Sequence, residues 1–489
     1  MPAHRPAPTP DRDRVPFLEK SALGVGALSS FFGFGGVSIL AYPVYNMMLG
    51  VSAGWVGLAI TLPRIWDAIT DPVMGAVSDN FRSRWGRRRP FIVVGAILMG
   101  LLFGLIWVAP DHWSEPDKFA YFVGMQILFF TAFTVFAVPF NALTYEMTPD
   151  YNERNRVMAF LAFFHKTGEL LGGWMLPLAT GIGVYLVTGA EDLNMAGVHV
   201  MAWIVGGLML AGLGVLPGIF VKERFAIRAA TQQRVGLWSS AKAALSSVPF
   251  LILVAIIVLN TLSGVLASGI DQYLLVYYMN DGSKAAGLLQ KGLLTSGYAV
   301  VGFASIPLIT YLANRLGKRG ALFFVYGLMV LGGIAKWFIF VPGHTIYYPL
   351  GVAIDPVLMI DPLLCGPMWV AVKIVLASMM ADICDEDERD HGQRREGMFG
   401  AAFSWLEKMV VSVAYMGTGL ALSVAAFDVE LGAAQSETTF TAMRLFLSGA
   451  PAVTALAAIV ALIFYPITAE RAAETRRVLE QRRGEIEVS

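Results

Sequence analysis

The chain has 489 residues, 56% of them hydrophobic and 15% charged, with a mean hydropathy of +0.61. Its 36 basic and 36 acidic residues balance, which gives no basis for a nucleic-acid partner. Soluble domains carry about 25% charged residues, whereas here apolar blocks of about twenty or more residues recur, each long enough to cross about 30 Å of hydrocarbon. An all-α polytopic membrane protein is expected.

In chain order, residues 1–20 are polar and hold Pro2, Pro6, Pro8 and Pro10, so a disordered tail without a cleavable signal is expected. Six spans follow at about 21–49, 54–80, 90–110, 118–147, 157–188 and 197–221, making a first bundle over 21–221. A polar linker covers 222–246. Six more spans, at about 247–279, 286–314, 320–341, 346–382, 397–426 and 438–467, make a second bundle over 247–467. A polar tail, 468–489, closes the chain. Twenty-seven of the 36 basic residues fall in the two tails, the linker and the loops on their side; only Lys118, Lys284 and Lys291 fall in the alternate loops. That bias predicts both termini and the linker in the cytoplasm of a plasma (inner) membrane protein. Six plus six spans around a linker is the pattern of two pseudo-repeated bundles with a site at the midplane between them. The two cysteines, Cys365 and Cys384, offer no disulfide framework or metal spacing.

Charged residues inside spans are costly, at least ~2.5 kcal/mol each on insertion scales, and so point to function. Asp67 and Asp71 lie four apart in span two and share a helical face. Two like charges there are accounted for by a visiting cation, or by a structural ion pair with Arg64 or Lys408. Thr70 offers a hydroxyl oxygen to a hard cation such as Na⁺. A proton would instead use one carboxyl whose affinity is raised by its neighbour. Arg84, Arg87, Arg88 and Arg89 form a basic loop around Gly86 that either clamps acidic helix ends in a cytoplasmic gate or only sets topology. Lys166 and Glu169, three apart, can pair on one face. Asp355-Pro356 and Asp361-Pro362 mark a helix boundary, an extracellular gate or a second polar site. The six histidines lie apart and no nucleophile–base or metal cluster is visible, so no enzyme is expected.

The stretch RIWDAITDPVMGAVSD, followed by SRWGRRRPFIVVG, strongly resembles the glycoside–pentoside–hexuronide:cation symporters of the major facilitator superfamily, of which the melibiose permease is the best-known type. GRRRPFI is also similar to sucrose transporters. A second stretch, MADICDEDERDHGQRREGMFGAAFSWLEK, resembles the same family's loop between spans ten and eleven. The resemblance implies the major facilitator fold of twelve helices in two six-helix bundles. It implies Asp67 and Asp71 as cation-binding carboxylates, with Thr70 where the permease has asparagine and Thr134 matching its threonine. Lys408 matches the lysine that couples cation to sugar. The permease's sugar-binding aspartates are matched by Phe31 and Ala137, and a following tryptophan by Asn141, so the familiar sugar anchors are absent. Tyr42, Asn46, Asn141, Lys166, Glu169, Asp271 and Trp405 are the replacement candidates.

The expected function is therefore Na⁺- or H⁺-coupled symport of a sugar or glycoside by alternating access. The expected partners are that solute, a monovalent cation and the lipid bilayer, with no cofactor and a monomeric chain. The alternative is the same fold carrying a lysolipid or another organic solute, since animal relatives of this family carry lysophospholipids.

Overall fold

The computed structural model describes residues 13–148, 151–223, 247–348, 353–391 and 396–488. The linker residues 224–246 and residues 1–12 of the N-terminal tail lie outside it. Two compact units divide the chain, Met1–Gln233 and Arg234–Ser489. Among the described residues no strand forms, and a single isolated bridge joins Tyr347 to Ile354.

The first unit contains α1 (Phe17–Ala41, continued by a π-helical turn to Asn46), α2 (Ala53–Asn80), α3 (Arg89–Ile106), α4 (Glu115–Tyr145), α5 (Tyr151–Gly173), α6 (Met175–Leu186), α7 (Met195–Ile204, with a π segment to Gly212) and α8 (Leu213–Phe220). The second contains α9 (Val248–Tyr273, with a π turn to Tyr278), α10 (Lys284–Ile339), α11 (Ile360–Ala371, with a π turn to Leu376), α12 (Ala377–His391), α13 (Glu396–Val424), α14 (Glu437–Ile463) and α15 (Ala469–Val488). Eight helices of the described residues are long and apolar enough to cross a membrane, or nine when α5 and α6, bent by 45°, count as one span. α10 is two helices joined at Gly317, whose φ of 74° breaks the helical path. α2 and α13 carry charges that lower their hydropathy. With those two and both arms of α10, the described residues form twelve helical passages.

Several helices begin where a side chain can accept from an exposed backbone N–H. Ser114 caps α4, Asn194 caps α7, Ser283 caps α10 and Ser436 caps α14. Within the first unit α1 packs on α5 and α8, α2 on α4, and α3 on α4 and α8. In the second, α9 packs on α13 and α14, and α10 on α11 and α14.

The structure adds to the sequence reading in four places. The N-terminal region is ordered from Asp13: Val15 is buried, its N–H donates to Glu153 at 3.0 Å, and Lys20 pairs with the same carboxylate at 2.5 Å. The C-terminal tail is a helix, α15, that packs on α12, with Thr475 and Leu479 buried and Arg389 donating to the Thr475 hydroxyl at 3.0 Å. The span expected from 346 starts only at Ile360, because Asp355 takes the Val357 N–H at 2.9 Å, and Pro356 stands at the turn before α11. Lys291, counted with the loop charges although the expected span 286–314 contains it, lies inside α10.

Candidate functional site: an acidic pair bridged by a threonine

α2 delivers Arg64, Asp67, Thr70 and Asp71 on neighbouring turns, and α4 delivers Thr134 opposite them. Asp67 is 1% exposed and Thr134 2%, while Thr70 and Asp71 are half-buried. The Thr134 hydroxyl lies 2.7 Å from Asp67 Oδ1 and 3.1 Å from Asp71 Oδ1. Thr70 Oγ1 is 3.4 Å from Thr134 Oγ1 and within 3.2 Å of the Trp66 and Asp67 carbonyls. Arg64 stands one turn before Asp67, between the rings of Phe34 (4.1 Å) and Phe130 (4.4 Å), and donates to the Phe34 carbonyl.

A hydroxyl has one hydrogen and can donate it to one carboxylate at a time. With Thr134 donating to Asp67, the 3.1 Å approach of Asp71 is attractive when Asp71 itself carries a proton or when a cation sits among these oxygens. The two Oδ1 atoms, both held to Thr134, lie within about 6 Å of each other. Two unit charges at that separation repel by about 3 kcal/mol at an effective dielectric constant near 20, before Arg64 is counted. A bound proton or monovalent cation removes that term. The donor set of two carboxylates and two hydroxyls is all oxygen, which suits a hard cation.

The loop after α2 is organised by an acid that the sequence reading missed. Glu223 accepts the backbone N–H groups of Arg87 (3.0 Å), Arg88 (2.7 Å) and Arg89 (3.3 Å), placing a carboxylate at the N-terminus of α3, where the helix dipole favours it. Arg87 pairs with Glu146 at 3.3 Å, and Arg88 with Asp79 at 3.0 Å and with Glu146. Arg89 donates to the Gly218 and Ile219 carbonyls at 2.7 and 2.6 Å. Arg84 is exposed. These described contacts of Arg87, Arg88 and Arg89 bind α2, α3, the end of α4 and the end of α8 within one unit. Gly86 sits at φ 108°, and a Cβ there would lie 2.7 Å from a Glu223 oxygen.

The remaining candidates are dispersed. Lys166 and Glu169 pair at 2.6 Å with 22% and 34% side-chain exposure. A charged pair half-open on a membrane helix requires a polar surrounding rather than lipid. Tyr42 and Asn46 are buried in the π turn after α1, where the Asn46 amide donates to the Val51 carbonyl at 2.6 Å. Asn141 is exposed on α4 and Ala137 is buried. Phe31 packs its ring on Gly168 and Gly172 of α5 and edge-on to His165 at 5.3 Å. An apolar knob therefore fills the α1–α5 contact where the resemblance places an aspartate. Trp405 lies on α13, but its side chain is outside the described residues. Lys408 is on α13 of the second unit, half-buried, and its carbonyl accepts the Ser412 hydroxyl at 2.9 Å.

The second unit has buried charges of its own. Asp271, 3% exposed, pairs with Lys291 at 2.5 Å, and Lys291 also donates to the Ser268 carbonyl and hydroxyl at 3.1 Å each. Asp361 pairs with Lys336 at 2.5 Å and accepts the Tyr298 hydroxyl at 2.9 Å. Asp361 occupies the first turn of α11 and Lys336 the last turn of α10, so each charge suits the dipole of its helix. Asp355 instead pairs with His344 Nδ1 at 2.8 Å. Among the described residues no group of three or more His, Cys, Asp or Glu is arranged to hold a metal ion.

Among the described residues, twelve helical passages with charges held in ion pairs inside them describe a polytopic helical membrane protein. The chain belongs to the MFS/sugar transport protein family, whose model matches residues 23–469. It is similar to the isoprimeverose transporter of Lactiplantibacillus pentosus, with 24% identity over 95% of this chain and 92% of that one. It is similar at nearly the same level to the sodium-dependent lysophosphatidylcholine symporter 1-B of Danio rerio, with 23% identity over 88% of this chain and 84% of that one. Its fold matches the crystal structure of a bacterial homolog of the human lysosomal transporter Spinster, inward-facing and occupied, with a TM-score of 0.63, 13% identity and coverage of 93% and 96%. The chain is a secondary transporter.

Proposed function

We propose that the protein is a symporter that couples uptake of a sugar or glycoside to the inward flow of Na⁺ or H⁺ across the plasma (inner) membrane, with both termini cytoplasmic and a monomer as the working unit. The observation that carries the coupling is the single Thr134 hydroxyl shared between the Asp67 and Asp71 carboxylates. A proton on Asp71, or Na⁺ among Asp67, Thr70, Asp71 and Thr134, relieves the repulsion. The family resemblance gives Lys408 of the second unit the role of coupling cation to solute. Cation and solute affinities rise together, because coupling free energies are reciprocal. Tyr42, Asn46, Asn141, Lys166, Glu169, Asp271 and Trp405 are the candidate solute contacts, as residue types that can hydrogen-bond a hydroxyl-rich solute. Arg84, Arg87, Arg88 and Arg89 serve the cytoplasmic gate during alternating access.

A second cargo class, a lysolipid or other amphiphile, is favoured by one observation. The half-buried Phe31 and the buried Ala137 are apolar at the two positions where the family's sugar-binding carboxylates stand.

The test is uptake of a panel of labelled glycosides and of a lysophospholipid into proteoliposomes under imposed Na⁺ or H⁺ gradients. One glycoside is expected to accumulate under one of the two gradients, and Asp71→Asn is expected to abolish that accumulation. Full gradient-driven uptake by Asp71→Asn would sink the cation site. Uptake of the lysolipid alone would replace the sugar reading.

A further inference from the structure

The bridge between Asp67 and Asp71 depends on the register of α4 against α2, and a second polar rung lies beside it. The Trp66 indole N–H donates to Thr131 Oγ1 at 2.9 Å. The Thr131 hydroxyl donates in turn to the Ile127 carbonyl of its own helix at 2.7 Å. That bond uses the one hydroxyl hydrogen of Thr131 and leaves its lone pairs to accept from α2. Trp66 immediately precedes Asp67, its carbonyl is one of the two acceptors facing Thr70, and Thr131 lies three residues before Thr134 on the same face of α4. Further along the same helix pair, the buried Gln126 amide donates to the Ala59 carbonyl at 3.1 Å.

A slip of one residue along a helix moves a side chain by about 1.5 Å. From contacts of 2.7 and 3.1 Å, such a slip takes Thr134 out of hydrogen-bond range of at least one carboxylate. Between membrane helices the hydrophobic drive is absent, so packing and interhelical hydrogen bonds hold the register. We infer that Trp66 and Thr131 are positioning residues for cation binding: their rung fixes the α2–α4 register that places Thr134 between Asp67 and Asp71. The inference rests on the cation-site reading above.

The test uses the full-length protein in detergent and follows thermal unfolding as NaCl replaces choline chloride, and separately as pH is varied between 5 and 8. A ligand that binds the folded state raises the unfolding temperature in proportion to its occupancy, so the midpoint of that rise reports cation affinity without knowledge of the solute. Loss of one neutral hydrogen bond predicts a midpoint weaker by about fivefold for Thr131→Val and Trp66→Phe, whichever ion acts. Thr131→Ser, which keeps the hydroxyl, is expected to restore the wild-type midpoint. Trp66→Phe keeps an aromatic ring on an exposed helix face and guards against a Thr131→Val variant that fails to fold. If both variants unfold at lower temperature without cation but keep the wild-type midpoint, the rung is structural only and the inference is overturned. If the wild type itself responds to neither ion and matches Asp71→Asn, the cation reading fails and carries this inference with it.

Discussion

The Lys336–Asp361 pair is the most enclosed charge pair among the described ion pairs, with side chains 3% and 0% exposed. Tyr298 supplies the second bond to Asp361 at 2.9 Å, and the Lys336 ammonium also lies 5.4 Å from the Phe340 ring centroid. Removing one member leaves the other charge without its counter-ion in a low-dielectric setting, which costs about 3–5 kcal/mol. Removing both costs far less, because a well-packed apolar pair is often as stable as a buried ion pair. Lys336→Met and Asp361→Leu are each expected to lower the unfolding temperature by about 10 °C, at about 2–4 °C per kcal/mol for a unit of this size. The double variant is expected to recover most of that loss, and Tyr298→Phe to fall between wild type and the single variants. The chain's two cysteines, Cys365 and Cys384, are both buried in the second unit, so a thiol-reactive fluorophore reports its unfolding directly. Single-variant losses that add in the double variant to within about 0.5 kcal/mol would mean the two side chains do not act as a pair, and would refute the reasoning.

Two further predictions concern the loop after α2 and the start of α5. Gly86→Ala forces a Cβ onto a backbone at φ 108° and to 2.7 Å from Glu223, so a loss of about 1–3 kcal/mol is expected in thermal unfolding followed by helical circular dichroism; wild-type stability in that variant would remove Glu223 as the organiser of the loop. Burial pushes the Glu153 carboxyl upward, but hydrogen bonds from Lys20 and the Val15 N–H, the Lys20 charge and Arg156 outweigh it, and the group titrates below the ordinary glutamate range. A carboxylate with a lowered folded-state value stabilises above its unfolded value, about 4.3, and loses that contribution as pH falls through the folded value. The stability gap between wild type and Glu153→Gln should therefore be full at pH 6–7 and close in acid. A gap of equal size at pH 3 would contradict it.

The sequence exposes what a bilayer makes expensive and hides what it makes cheap. Asp67 and Asp71 are legible because carboxylates are rare in apolar stretches, and Thr134 is legible only through resemblance, since a threonine on an apolar helix has no cost that marks it. Lys166 and Glu169 are readable as a pair because three-residue spacing on one helix fixes their distance. Lys336 with Asp361 is not readable in that way, because their pairing depends on how α10 and α11 pack, 25 residues apart in sequence. Glu223 escapes for a related reason. It stands at the edge of the linker and looks like one more solvated charge, yet it gathers three consecutive amides from a loop 134–136 residues earlier. Composition shows the polarity of the tails but not their partners. The segment before α1 is tied down by a glutamate at the start of α5, and α15 by an arginine and glutamate of α12. Phe31 shows the limit from the other side. A phenylalanine in a span carries no signal of its own, and only its seat on Gly168 and Gly172 turns a missing aspartate into a packed apolar surface. The solute is therefore the part of the function that sequence reads least well. Selectivity is set by which neutral side chains are left facing a cavity, and neutral side chains are the ones a membrane span tolerates anywhere.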